Sequence, residues 1–233
     1  MFTLIPVIAV IIGGIVSSYR KPGQGLRIII QHFAAGVVFS AVALQLLPEL
    51  VRELEIVPLI FGFSLGVVLM IGLKKLIDKI VENKKNKEDG STGLLMATGI
   101  DMFIDGLLVG VSFSVGVRQG VMITIALTIE LLLLGLSVAS SLLDSGVVRK
   151  RVITTTALLA LSVLLGAALG GSLLEGLSGA TLEIVLAFAT SAFLYLVTEE
   201  LLVEAHKGPD TSLATAMFFV GFLLMIVIEA STN

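Results

Sequence analysis

Two aspartates, Asp101 and Asp105, stand four residues apart in the apolar run 92–116, and a glutamate, Glu130, stands near the middle of the next apolar run, 120–143. On a helix the two aspartates share one face. A charge at the centre of a bilayer costs on the order of 2.5–3.5 kcal/mol on insertion scales, so an acid there needs compensation. Carboxylates that converge at one depth form an oxygen-rich site suited to a hard divalent cation. The alternative is that the carboxyls are protonated and bond one helix to another as structural glue. A third chemistry, acid–base work by an intramembrane aspartyl hydrolase, fits poorly. Both aspartates lie on one helix a turn apart, and no second aspartate-bearing catalytic motif accompanies them.

Further polar residues extend from this cluster. Glu199, Glu200 and Glu204, with His206 just beyond, lie at the end of another apolar run and read as an exit path for a cation. Asp144 ends the polar series Glu130, Ser137, Ser141, Asp144 and joins that path. Gln45 and Glu49 close the far end of the run 28–48 and read as an entrance. An interfacial acidic end solvated by headgroups is the competing reading of both groups. Serine and threonine in such helices also bond their own backbone, so their stripes do not by themselves define a hydrated route. His32 and His206 read as interfacial residues. The pairs Gly62 and Gly66, Gly106 and Gly110, and Gly166 and Gly170 have the small-xxx-small spacing of closely packed helices.

The elements that must position these residues are membrane helices. The chain has 233 residues, 56% of them hydrophobic, and a mean hydropathy of +1.08. Those values lie far outside the range of soluble globular proteins. Runs long enough to span a bilayer occur at about 2–19, 28–48, 56–76, 92–116, 120–143, 152–174, 180–203 and 211–230. They are continuous rather than alternating, which argues against a β-barrel. The first run lacks a basic leader and a small-residue cleavage site, so it reads as a retained helix. The stretch 78–90 is highly charged and reads as a flexible cytoplasmic loop. With no cysteine, thiolate metal sites and disulfides are excluded.

Charge sets the orientation. Of the 15 lysines and arginines, all but Arg52 and Arg118 fall in connections on one side of the eight spans. That side is cytoplasmic by the positive-inside rule, which puts both termini outside. Asp101 then lies about 12 Å and Asp105 about 18 Å along the fourth span, and Glu130 about 15 Å along the antiparallel fifth. All three reach similar depth. Basic residues within spans are limited to Lys74 and Lys75 at the fringe of the third, so protons or a dissolved cation must compensate the carboxylates.

An internal repeat agrees with this topology. A shift of 155 residues aligns FAAGVVFSAVALQLLPEL (33–50) with FATSAFLYLVTEELLVEA (188–205), matching Phe33 with Phe188, Gln45 with Glu200 and Glu49 with Glu204. The two segments run in opposite directions, as inverted repeats of transporters do. The arrangement is 3+2+3, with spans four and five between two related triplets.

The run HFAAGVVFSAVALQLLPEL resembles the second span of the ZIP (Zrt/Irt-like) divalent metal transporters, and LAFATSAFLYLVTEELLVEAHK resembles their seventh. That resemblance implies an all-α integral membrane protein of the cell membrane that moves a divalent ion of the Zn, Mn, Fe or Mg class into the cytoplasm. It implies metal ligands at Asp101, Asp105 and Glu130, no organic cofactor, and no enzymatic activity. The partners would be lipid and the cation, without nucleic acid, and a homodimer stays open. A non-transporting metal receptor or assembly partner on the same fold is the alternative. Span four departs from the family pattern His-Asn-Phe-Pro-(Asp or Glu)-Gly, reading Asp101-Met102-Phe103-Ile104-Asp105-Gly106. In span five Leu127 stands where a polar residue is common. An aspartate in place of imidazole makes the site all-oxygen and favours harder ions than zinc. Without the asparagine and the polar residue, one central ion is expected rather than a bridged pair.

Overall fold

The computed structural model describes residues 2–52, 55–85, 90–172, 179–207 and 211–231. Among them every regular element is helical. The helices are α1 (Leu4–Tyr19), α2 (Gln24–Gln45), α3 (Leu47–Arg52), α4 (Ile56–Lys85), α5 (Gly90–Val115), α6 (Val117–Asp144), α7 (Arg149–Ser172), α8 (Ala180–Tyr195), α9 (Leu202–Ala205) and α10 (Ser212–Ser231). A π-helical turn, Leu196–Leu201, joins α8 to α9. In lipid a helix satisfies its own backbone, which is why continuous apolar runs take this form.

Helix ends follow local chemistry. Pro6, Pro48 and Pro58 each sit in the first turn of a helix, where a missing N–H costs no intrahelical bond. Pro48 also explains why α2 stops at Gln45, since it cannot donate to the carbonyl of Leu44. After α6, Gly146 takes a positive φ of 79°. Its N–H donates to the Leu143 carbonyl and that of Val147 to the Leu142 carbonyl, closing the helix in a Schellman motif.

Among the described residues seven helical stretches are long and apolar enough to cross a membrane, with bounds at Gln24–Arg52, Ile56–Glu82, Thr92–Val115, Val117–Asp144, Arg149–Ser172, Ala180–Ala205 and Ser212–Ser231. The expected first span, α1, has 16 residues, about 24 Å of rise against a hydrocarbon core of about 30 Å. The expected loop 78–90 differs too. Helix α4 continues through it to Lys85, and residues 86–89 lie outside the described residues.

The most extensive contacts pair α5 with α7, α1 with α6, α10 with α2 and α4 with α8. Glycines make these approaches close. A Cβ on Gly106 would fall on the Val163 carbonyl, and one on Gly166 would fall on that of Phe103. Likewise Gly221 lies against the Phe33 carbonyl and Gly66 against that of Phe188. The outer faces of α4, α7 and α10 stay apolar, with Ile60, Val68, Leu165, Phe219 and Leu223 all exposed.

Candidate metal site

Helix α5 turns its glycine face, Gly106 and Gly110, toward α7. Asp101 and Asp105 lie on a different face, near Glu130 of α6. Asp105 is fully buried, and neither of its carboxyl oxygens has a hydrogen-bond partner. Glu130 is buried as well, and its Oε2 is also without a partner. Asp105 lies within electrostatic reach of Glu130, Asp101 and Glu200, and Glu130 within reach of Asp101 and Glu200. Half-buried Asp101 and Glu200 are close enough to hydrogen-bond to each other. Two acids in contact must share a proton or a cation, because two carboxylates offer no donor.

A cavity of about 380 Å³ reaches this cluster. Asp101, Glu130, Glu199, Glu200 and Glu204 line it, together with Thr98, Ser137, Ser141, Lys74 and Lys207. The stripes of hydroxyls are partly self-satisfied: Ser141 Oγ donates to the Ser137 carbonyl at 3.0 Å, while Ser137 Oγ accepts from Arg27 at 2.7 Å. Among the described residues no three histidine, cysteine, aspartate or glutamate side chains are arranged to hold one metal ion. The carboxyls are neighbours on three elements rather than a closed ligand set.

Glu199, Glu200 and Glu204 all lie on the cavity wall. The π turn that presents the first two is a feature often found at functional positions. Lys74 stands where the apolar part of α4 gives way to its charged continuation. Its Nζ donates to the Glu199 carbonyl at 3.0 Å, lies 3.9 Å from the Glu199 carboxylate and sits 5.8 Å from the centre of the Tyr195 ring. Glu200 also feels its charge. A basic side chain therefore does reach the acidic end of the cavity. Asp144 does not line it, and pairs instead with Lys21. His206 lies against His32 in a tilted arrangement, with ring centres 5.1 Å apart.

Gln45 and Glu49 are tied down at the opposite end. Gln45 Nε2 donates to Glu229 Oε2 at 2.6 Å, and Arg118 holds the other Glu229 oxygen. Glu49 accepts from Gln119 at 3.3 Å and lies 3.8 Å from Arg52. Glu229 gave no sign of this role in the sequence, since it is a lone acid at the end of the last apolar run. The signal that was available is Arg118, one of the two basic residues on the minority side.

The profile of the Zip family, described as ZIP Zinc transporter, matches residues 78–229. A curated relative, named zinc transporter GufA, from Myxococcus xanthus, is 33% identical over 138 residues. That match covers 59% of this chain and 54% of the relative, so the chain spans about half the length of the protein it resembles. The profile takes in every residue of the carboxylate cluster and the cavity wall except those of α2 and the upstream part of α4.

Proposed function

The chain belongs to the ZIP zinc transporter family and is a multi-pass membrane protein, and from that premise we propose that it carries a divalent metal ion into the cytoplasm through the Asp101, Asp105, Glu130 and Glu200 cluster. The observation that carries this reading is the gathering of buried acids around Asp105, whose two oxygens have no protein donor. A divalent cation supplies what those oxygens lack, and ligands of this type suit hard or borderline ions.

The ion is of the Zn, Mn, Fe or Mg class, with the all-oxygen set inclining toward the harder members. It enters from the outer side past Gln45 and Glu49, and leaves along Glu199, Glu200 and Glu204 toward Lys207. In this state the cavity reaches the cluster from the Lys74 end, while Arg118, Glu229 and Gln45 bind one another at the other. That asymmetry favours a conformation open inward. Eight spans with both termini outside remain the proposed topology, α1 being the short first span. The packing supports a 3+2+3 plan. Exchanging spans one with six, two with seven, three with eight and four with five turns the α1–α6 pair into α7–α5, and the α2–α10 pair into α8–α4.

Uptake into proteoliposomes, assayed separately for Zn, Mn, Fe, Co, Cd and Mg, tests the function. Flux of at least one ion above protein-free liposomes is the expected result. Binding of those ions with no flux for any would assign the protein to the receptor class instead.

A further inference from the structure

Apart from the carboxylate cluster, the structure brings together a second pair of metal-ligand type, His32 and His206. His32 of α2 is 2% exposed. Its Nδ1 lies 2.9 Å from the Ile28 carbonyl, and His206 Nδ1 lies 2.6 Å from the Leu202 carbonyl. A carbonyl only accepts, so each Nδ1 carries a proton, and in the neutral tautomer the lone pair is on Nε2. This is the outer-shell bond that orients metal-bound imidazoles. His32 Nε2 is buried and has no hydrogen-bond partner.

The spacing of the two rings fits one shared ion. With metal–nitrogen bonds of about 2.0–2.1 Å and a tetrahedral angle, two imidazoles on one zinc place their ring centres roughly 5 Å apart. The observed separation is 5.1 Å, with the planes inclined by 59°. The pair adjoins the cavity in sequence on both sides: Gln31 precedes His32, and Glu204 and Lys207 flank His206, all three on the cavity wall. Glu204 is itself engaged by Lys207 at 2.6 Å.

We propose that His32 and His206 form a second, nitrogen-ligated site for a borderline divalent cation of the zinc class, at the mouth of the cavity. Two protein donors leave the remaining coordination positions to water, so the ion is held weakly and exchanges. Imidazole nitrogen suits zinc-class ions better than the all-oxygen cluster does. The pair is thus a chemically distinct station on the same route. The placing of that station rests on the transport reading, whereas the binding itself does not.

The chain contains only two histidines, so imidazole coordination can arise nowhere else in a tag-free protein. The experiment is electron paramagnetic resonance of one equivalent of Cu²⁺ on the purified full-length protein in detergent, followed by displacement with Zn²⁺. It is run on wild type, on an Asp101→Asn/Glu130→Gln variant and on His206→Ala in both backgrounds. His206 is exposed, so its replacement leaves the packed interior alone. Nitrogen splitting from two imidazoles is expected in wild type and in the carboxylate variant. His206→Ala should remove one or both nitrogens and weaken Zn²⁺ competition at least tenfold. Absence of nitrogen splitting in both parent proteins, or splitting unchanged by His206→Ala, overturns the inference. Failure of the transport reading looks different: no flux in liposomes, with the two-nitrogen signal intact.

Discussion

At the scale of single residues, Asp101 and Asp105 lie in different surroundings. Asp105 is sealed in the bundle, whereas Asp101 faces the cavity and meets Glu200. Asp101 is the position where imidazole is usual in the family, so it should control ion preference. Asp101→His is expected to raise zinc uptake relative to manganese several-fold, read from competition between the two ions; an unchanged ratio would remove Asp101 from the ligand set. Lys74 makes a separate prediction. It competes electrostatically with a cation near Glu199 and Glu200, so Lys74→Ala should lower the apparent KM for the ion by a few-fold, with the maximal rate less affected. That Asp101, Asp105 and Glu130 come within electrostatic reach of one another was legible in the sequence, because helix rise on two consecutive antiparallel helices is enough to bring them together. The meeting of Glu200 with Asp101 was not. A π turn inserts an extra residue into the helical register and rotates the side chains beyond it, and the run LVTEEL carries no glycine or proline to announce it.

At the scale of elements, close helix pairs and a charged latch do the positioning. Gly106 and Gly166 let α5 and α7 touch backbone to backbone, while α5 also packs against α6. Gly106→Val should cost about 1–3 kcal/mol through overpacking, seen as a lower midpoint of unfolding in detergent, whereas Gly72→Val, with open space around it, should change it little. The latch joins α6 to α2 and α10 through Arg118, Gln45 and Glu229. The chain has no cysteine, so a lone Ser112→Cys can report access from the Arg118 side. Adding Arg118→Ala should speed its labelling by a membrane-impermeant maleimide several-fold; equal rates would mean that the latch does not gate that end. Helix positions were mostly legible from apolar run length. Residues 78–85 are the exception. Their charge suggests a loop, yet lysine, glutamate and isoleucine are ordinary helix formers, and α4 simply continues beyond its apolar part.

At the scale of the whole molecule, sequence repeat and packing point the same way. The 155-residue shift that maps Phe33 onto Phe188 also maps Gly66 onto Gly221. In the fold Gly221 meets the Phe33 carbonyl, and Gly66 meets the Phe188 carbonyl. A two-fold relation between the halves accounts for both contacts at once, although only the first pair stood out in the sequence. Gly221 lies in a run too uniformly apolar to align by eye. Such halves, with a shared acidic cluster between them, suit alternating access. The proposed orientation adds a check of its own: a single Ser231→Cys should be labelled from the outer face of intact cells, and labelling only after permeabilisation would invert the topology. The proposed transport through this fold depends on the ion crossing at the carboxylates. Its most direct test is metal uptake into proteoliposomes by wild type, Asp101→Asn and Glu130→Gln, each confirmed as folded and inserted. A carboxylate-lined route predicts uptake at least tenfold slower in both variants, and wild-type rates in either would contradict it.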